Sequence, residues 1–295
     1  MAIPKIAPYC LSRAAKLPQN KVNWAFEPSK AVLLIHDVQR YFIDFYGDDS
    51  VLIQQVLSNI QELKALCTLF NIPVVYTAQP AEQSAQARAL LNDMWGPGLT
   101  GQQALTAIEP SVAPGPDDIV LTKWRYSAFQ RSPLEAMMKE QGRDQLLICG
   151  VYGHIGVLMS ACDAFMRDIK PFVVADAIAD FSLEEHQLTL TYVAGRCGVV
   201  TATETFKELR LTRGDTTLLT PDALKNHLLS LIDEEEQAFD PDENLLDYGI
   251  DSVQIMAIIS KWRDSGIESS FTELAEQPTF NAWVALLQRK QEQAA

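Results

Sequence analysis

Between residues 31 and 205, short β-rich runs alternate with helical stretches, and this alternation constrains the fold more than any other feature of the chain. AVLLIHD (31–37), IPVVYTAQ (72–79), IVLTK (119–123), QLLICGV (145–151), PFVVADA (171–177) and VVTATET (199–205) read as six strands. Between them, SVLIQQVLSNIQELKALCTLF (50–70) repeats apolar residues at helical spacing. A helix capped by Ser132, with Pro133 at its first position, follows the third strand, and EEHQLTLTYVAG leads into the sixth. Strand, helix, strand in repetition predicts a parallel sheet covered by helices on both faces, a three-layer α/β/α fold. Such sheets bind ligands in the crevice at the carboxyl ends of their strands. Asp37, Gln79, Lys123 and the turn GVYGHIG (150–156) end the first four strands, so a carboxylate, an amide and an ammonium are expected to converge there.

A second, smaller region follows. From Thr216 onward fifteen acidic residues face five basic ones, while the rest of the chain is close to balanced within a net charge of −14. Gly214 and Pro221 punctuate LTRGDTTLLTP (211–221), which sets the expected organisation at 1–212, a linker at 213–219, and 220–295. TPDALKNHLLSLI (220–232) opens with a threonine cap and a proline at the first helical position. VQIMAIISKWRD (253–264), ended by Gly266, and FNAWVALLQRK after Pro278–Thr279 complete a small helical bundle.

The strong acidity argues against nucleic acid, whose phosphates it repels. Apolar runs such as AVLLI (31–35) are far shorter than the ~18–20 residues a bilayer span needs, and MAIPKIAPYC lacks a signal peptide's pattern, so a cytoplasmic location with no membrane partner is expected. The five cysteines (10, 67, 149, 162, 197) are scattered without a CxxC pair, which fits reduced thiols and no metal cluster.

LLIHDVQRYF, VVYTAQP, LTKWRYSAF and ICGVYGHIG resemble the isochorismatase branch of the isochorismatase-like (cysteine hydrolase) superfamily over most of residues 1–210. Most members of that superfamily are amidases with a catalytic Asp, a Lys and a nucleophilic Cys. Asp37 and Lys123 match the first two, and Gly156 stands at the position of the Cys. A residue without a side chain cannot form a covalent intermediate. The resemblance therefore implies hydrolysis of the vinyl ether of isochorismate, with Asp37 as the acid, Lys123 beside it, and Gly156 leaving volume for the substrate ring. It further implies that Gln79, Arg88 and Lys123 hold the substrate's carboxylates and oxygens, that Trp95, Val151 and Tyr152 line the pocket, and that the Val151–Tyr152 peptide is cis. Asp37 must carry a proton to act. The apolar LLI before it favours that by desolvation and Lys123 opposes it, a balance the sequence leaves open.

LLDYGIDSVQIM resembles the phosphopantetheine-attachment motif of carrier proteins, with Ser252 as the modified serine. A helix N-terminus suits a phosphodiester there, because its free N–H groups and positive dipole end face the anion. Asp251 is a candidate for helping to hold the transferase's magnesium. Together the halves resemble the bifunctional isochorismatase/aryl carrier proteins of catechol siderophore pathways. That implies carriage of 2,3-dihydroxybenzoate on 4′-phosphopantetheine for non-ribosomal assembly. The implied partners are a 2,3-dihydroxybenzoate-activating adenylation enzyme, a phosphopantetheinyl transferase and a downstream condensation enzyme, with homo-oligomer formation through the first domain. Val253, Met256 and Ile258 are candidates for the carrier's partner-facing surface.

Plainer readings exist for each residue. An aspartate ending a strand is often only a turn former, a lone Lys or Arg is usually solvated, and a serine opening a helix is often only its cap. His36 and His154 lie beside the matched positions and are expected to be satisfied polar or rim residues, while His186 and His227 fall in helical patterns. The rival functions are a carrier presented on an inactive scaffold, and a different hydrolase on the same fold that attacks an amide through water.

Overall fold

The computed structural model describes residues 3–11, 16–47, 49–206, 219–232, 239–264 and 267–294. The chain forms two compact units, 1–206 and 207–295, and most of the linker expected at 213–219 lies outside the described residues, as does Gly266.

The first unit is built on six parallel strands: β1 Ala31–His36, β2 Val74–Ala78, β3 Ile119–Thr122, β4 Gln145–Val151, β5 Lys170–Ala179 and β6 Val199–Thr201. Their order is β3-β2-β1-β4-β5-β6. The chain starts at the centre, winds outward through β2 and β3, then returns to the far side of β1 with β4. The point where direction reverses, between β1 and β4, is where adjacent loops part and leave a crevice.

Strand alternation sends Val32 and Leu34 of β1 to one face, where they join Ile148, Val173, Leu158, Ala161 and Leu190 in a buried cluster. Leu33 and Ile35, both fully buried, point to the other face, against which the helix Val51–Phe70 packs. That helix buries Leu52, Ile53, Val56, Ile60 and Leu63 on one stripe and ends at Asn71, whose left-handed backbone closes the last turn. The expected helix after β3 runs over Leu134–Glu140, starting one residue later than the sequence suggests: Ser132 Oγ accepts from Leu134 N at 3.2 Å, and Pro133 is the cap itself. After β4 the chain makes a wide π turn, Gly153–Val157, before the helix Leu158–Phe165. β5 extends two residues past its expected end, to Ala179, and β6 stops at Thr201.

Two buried histidines make this unit acid-sensitive. His36 and His186 are nearly or fully buried, and loss of hydration lowers each from its ordinary 6.5 to about 4. Each neutral ring therefore favours the folded state above pH 6.5, and that contribution is lost as pH falls from 6.5 toward 4. His154 is shifted the other way by Asp180 but is partly exposed, which weakens its opposing effect. Stability of the first unit is expected to fall by up to about 1.4 kcal/mol per pH unit per buried histidine over that window. Urea midpoints measured at pH 7, 6, 5 and 4.5 check it, and a flat series contradicts it.

The second unit packs helices Pro221–Leu231, Ser252–Asp264, Phe271–Glu276 and Phe280–Ala294. Leu224, Leu228, Ile255, Ile258, Ile259, Trp262, Leu274, Trp283 and Leu287 fill its core, and Trp283 Nε1 donates to Leu274 O at 2.9 Å. The helix Phe271–Glu276 was not foreseen from the sequence. It is only six residues long, and a reciprocal Ser270–Glu273 capping box supports it. No helix among the described residues is long and apolar enough to cross a membrane.

Candidate functional site

Asp37 is the first residue beyond β1, and its backbone turns into the left-handed region at φ 49°. That conformation is costly for a residue with a side chain and persists only where surroundings enforce it. Thr77, the register partner of His36 on β2, supplies the enforcement twice: its Oγ1 accepts from the Asp37 amide at 3.1 Å and donates to Asp37 Oδ1 at 2.7 Å. Lys123, just beyond β3, donates from Nζ to Asp37 Oδ2 at 2.9 Å. Both side chains of this ion pair are almost wholly buried. The sequence left the protonation of Asp37 open, and the geometry weighs it. Burial alone would raise the carboxyl, but the Lys123 ammonium and the Thr77 hydroxyl outweigh it and hold Asp37 below the ordinary carboxylate range. Burial also holds Lys123 below the usual lysine value, against the pull of Asp37.

The pair opens onto a cavity of about 590 Å³, its mouth included, at the β1/β4 switch point. Gln79, Arg88, Trp95, Val151, Tyr152 and Gly156 all line it, so the residues that the resemblance assigned to the first domain's site are brought to one place. Gln79 is locked by Gln39, whose side chain bonds both its N–H and its carbonyl, and its Oε1 accepts from Arg88 Nη1 at 3.3 Å. Arg88, buried in the short turn Ala85–Arg88, also donates from Nε to Gly96 O. Trp95 Nε1 donates to Tyr126 OH at 2.8 Å, and Tyr152 OH donates to Phe42 O at 2.7 Å. Phe181 stands edge-on to both aromatic rings and completes an apolar wall. The Val151–Tyr152 peptide is cis.

Gly156 corrects one expectation. It lines the cavity, yet the space above its Cα belongs to the imidazole of His36 and not to a ligand: a Cβ there would fall on His36 Cε1 and within 2.6 Å of Nε2. His36 itself is satisfied and buried, in keeping with its expected role. His154 sits outside the cavity, with Nδ1 2.6 Å from Asp180 Oδ1. His186 is structural, between Tyr9 OH and the Ala175 carbonyl. His154, Asp180 and Glu185 form a compact acidic-histidine cluster among the described residues, but Asp180 is already engaged by the His154 and Phe181 amides. Thr77, Gln39, Tyr126 and Phe181 were missed from the sequence. Thr77 carried a usable signal, since it is the polar residue directly across from the end of β1.

In the second unit, the loop before Ser252–Asp264 turns at Gly249, φ 89°, a conformation that favours glycine, and buries Ile250 as an anchor. Asp251 caps the helix: its Oδ1 accepts from Val253 N at 2.9 Å and Gln254 N at 2.8 Å, while Gln254 Oε1 accepts from Asp251 N. Ser252 is therefore the first residue of the helix and not its cap. Its hydroxyl is exposed and engages no partner among the described residues. An exposed hydroxyl on the first turn of a helix is sterically open to attachment of an arm. Both capping bonds use Oδ1 of Asp251 and leave Oδ2 out of the cap. Val253 and Met256 are exposed at 73% and 51%, whereas Ile258 is core and leaves the expected surface.

The phosphopantetheine attachment site family model matches residues 222–287. The chain is 52% identical over 290 residues to enterobactin synthase component B of Escherichia coli (strain K12), covering 98% of this chain and 99% of that one. It is 45% identical over 304 residues to the isochorismatase of Bacillus subtilis (strain 168), covering 99% and 97%. A cysteine hydrolase structure from Pseudomonas syringae pv. phaseolicola 1448A superposes at a TM-score of 0.59 with 19% identity, over 66% of this chain and 98% of that one, which shows a shared fold. The isochorismatase domain model matches residues 31–205, the part that holds the Asp37–Lys123 pair and its cavity, and the chain belongs to the isochorismatase family.

Proposed function

We propose that residues 1–212 hydrolyse isochorismate to 2,3-dihydro-2,3-dihydroxybenzoate and pyruvate. Residues 220–295, joined through 213–219, carry 2,3-dihydroxybenzoate as a phosphopantetheine thioester for assembly of a catechol siderophore. The observation that carries the first half is a buried Asp37–Lys123 pair facing a cavity with glycine, not a nucleophile, at 156. The names of the two full-length relatives, matched across both units, support the pairing of functions.

Arg88, Lys123 and Gln79 form the cavity's polar side and suit a substrate with two carboxylates; Trp95, Tyr152 and Phe181 suit the flat face of its ring. Asp37 rests as a carboxylate. A dianion entering this buried site neutralises the influence of Lys123 and Arg88 and adds negative charge, and both effects raise Asp37 until it takes up a proton. Asp37 then passes that proton to the methylene carbon of the vinyl ether, giving an oxocarbenium ion. The carboxylate regenerated in this step takes a proton from the attacking water, and the resulting hemiketal collapses to pyruvate and the ring alcohol. One group thus serves as acid and then base.

On the second unit, the arm on Ser252 supplies a thiol that holds the aryl group as a thioester. Val253 and Met256, exposed beside Ser252, offer apolar contact to the transferase, the adenylating ligase and the condensation enzyme. Pyruvate released from isochorismate, coupled to lactate dehydrogenase, tests the reading against ammonia release from small amides. Steady pyruvate formation without ammonia is expected. Ammonia without pyruvate points to the amide hydrolase, and neither product to an inactive scaffold.

A further inference from the structure

His36 ends β1 with its side chain 1% exposed, yet it touches the cavity. Its Nδ1 lies 2.9 Å from the Val151 carbonyl oxygen and its Nε2 3.2 Å from that of Tyr126. The neutral ring has one N–H to donate, and on the shorter contact, from Nδ1 to Val151, it ties the ends of β1 and β4 together across the switch point, while Nε2 packs against the segment after Lys123. Its Cε1 also abuts Gly156, so that a Cβ at 156 would fall 1.9 Å from Cε1, 2.6 Å from Nε2 and 2.8 Å from Nδ1. Contacts that close do not occur between real side chains, and the ring, almost fully buried in a packed wall, has nowhere to move. The backbone at 156 belongs to a right-handed helical turn that any residue can adopt. The imidazole thus demands glycine here and the main chain does not.

We propose that His36 is a positioning residue for the hydrolysis: its imidazole fills the room that glycine leaves at 156, and through its bond to the Val151 carbonyl it fixes the wall against which Asp37 works. Residues 36 and 156 then form one unit. A side chain at 156 and an imidazole at 36 exclude each other, and the choice between them decides whether the cavity presents a group able to attack covalently or an inert ring that leaves the reaction to a proton and water. Asp37 is the next residue after His36, and its Oδ2 lies 3.8 Å from Nδ1, so a displaced ring carries the carboxylate with it. This inference rests on the reading of the chain as an isochorismate hydrolase.

The test is a double-mutant cycle on the full-length chain, read as kcat and KM for pyruvate release. Gly156→Ala alone is expected to lower kcat by about 100-fold or more, since misplacing a reacting group by about 1 Å costs that much. His36→Ala is expected to lower kcat by about 10- to 100-fold with KM within about threefold of wild type, because the groups that bind the carboxylates are untouched. In the His36→Ala background the added Gly156→Ala should cost less than about threefold, since the methyl then enters vacated space. His36→Asn, whose amide can still donate to the Val151 carbonyl, should recover most of kcat, and it serves as the second background if His36→Ala does not fold. If Gly156→Ala costs as much in both backgrounds as in the wild type, the methyl strikes the substrate and the proposal falls. A raised KM with unchanged kcat in the His36 variants overturns it as well, by making the ring a substrate contact. A wild-type chain that releases no pyruvate removes the functional reading and this inference together, whereas pyruvate release with an additive cycle removes only the inference.

Discussion

Pyruvate release from isochorismate is expected to fall by about 10²- to 10⁴-fold in Asp37→Asn, the range associated with loss of one positioned acid. Asparagine keeps the shape of aspartate and can still accept from the Thr77 hydroxyl through Oδ1, and its backbone amide still donates to that hydroxyl, so the left-handed turn after β1 retains both supports. It cannot carry the proton from solvent to the methylene carbon. The substitution also leaves the Lys123 ammonium without its buried counter-charge, which would be costly if the charge stayed. Lys123 is already held below the usual lysine value by burial, and shedding its proton relieves that cost. The variant should therefore remain folded, as judged by circular dichroism and an unchanged ability of the second unit to be loaded at Ser252. A second signature separates loss of the acid from general damage. The wild type should take up a proton when a dianionic substrate analogue binds, seen as a binding enthalpy that depends on the ionisation enthalpy of the buffer, and Asp37→Asn should not. Residual pyruvate release within about twofold of wild type would remove Asp37 from the mechanism.

In Ser252→Ala the mass gain of ~340 Da on incubation with coenzyme A and a phosphopantetheinyl transferase should vanish, because the arm is attached through the serine oxygen. Since the cap is Asp251 and Ser252 occupies the first helical position, alanine there costs little, within about 0.5 kcal/mol. The contrasting variant is Asp251→Ala, which removes the cap and should lower stability of the second unit by about 1 kcal/mol while leaving the hydroxyl in place. Pyruvate release by Ser252→Ala should match the wild type, for Asp37 and Lys123 belong to the other compact unit. A retained mass gain would assign the arm to another residue; lost pyruvate release in a folded variant would show that the two functions depend on each other.

What the sequence disclosed and what it withheld divide along one physical line. The six strands were legible because burial on both faces of a parallel sheet requires runs of Val, Ile and Leu, and because the turn after each strand must change composition. Asp37, Gln79 and Lys123 were legible as strand-ending polar residues, and Ser252 through the frame around Gly249. Thr77 was hidden because a threonine in VVYTA is an ordinary strand former; only pairing β1 with β2 in register reveals that it faces Asp37. The true partner of Gly156 was hidden for the same reason, being 120 residues away in the chain and adjacent only after β1 and β4 pair. Even locally, the cap was hidden, since serine and aspartate both favour that position and only the bonds to Val253 and Gln254 decide between the neighbours Asp251 and Ser252. Ile258, equally apolar with Met256, could not be told from a surface residue without knowing which side of its helix meets Leu224 and Trp283.

The Asp37–Lys123 bond joins residues 86 apart in the chain, and the His36–Val151 contact joins residues 115 apart, whereas the Asp251–Gln254 frame around Ser252 spans four consecutive residues. The chain thus carries two sites of opposite provenance in folding. The hydrolytic centre is assembled by loop closures across four strands and has no existence in any intermediate that lacks even one of them. The frame of the attachment site is local in sequence, one turn of helix and the short loop before it. Catalytic competence therefore reports that the β1–β4 seam has docked, while acceptance of the arm reports order in the second unit, so that one polypeptide carries a separate reporter for the folding of each unit.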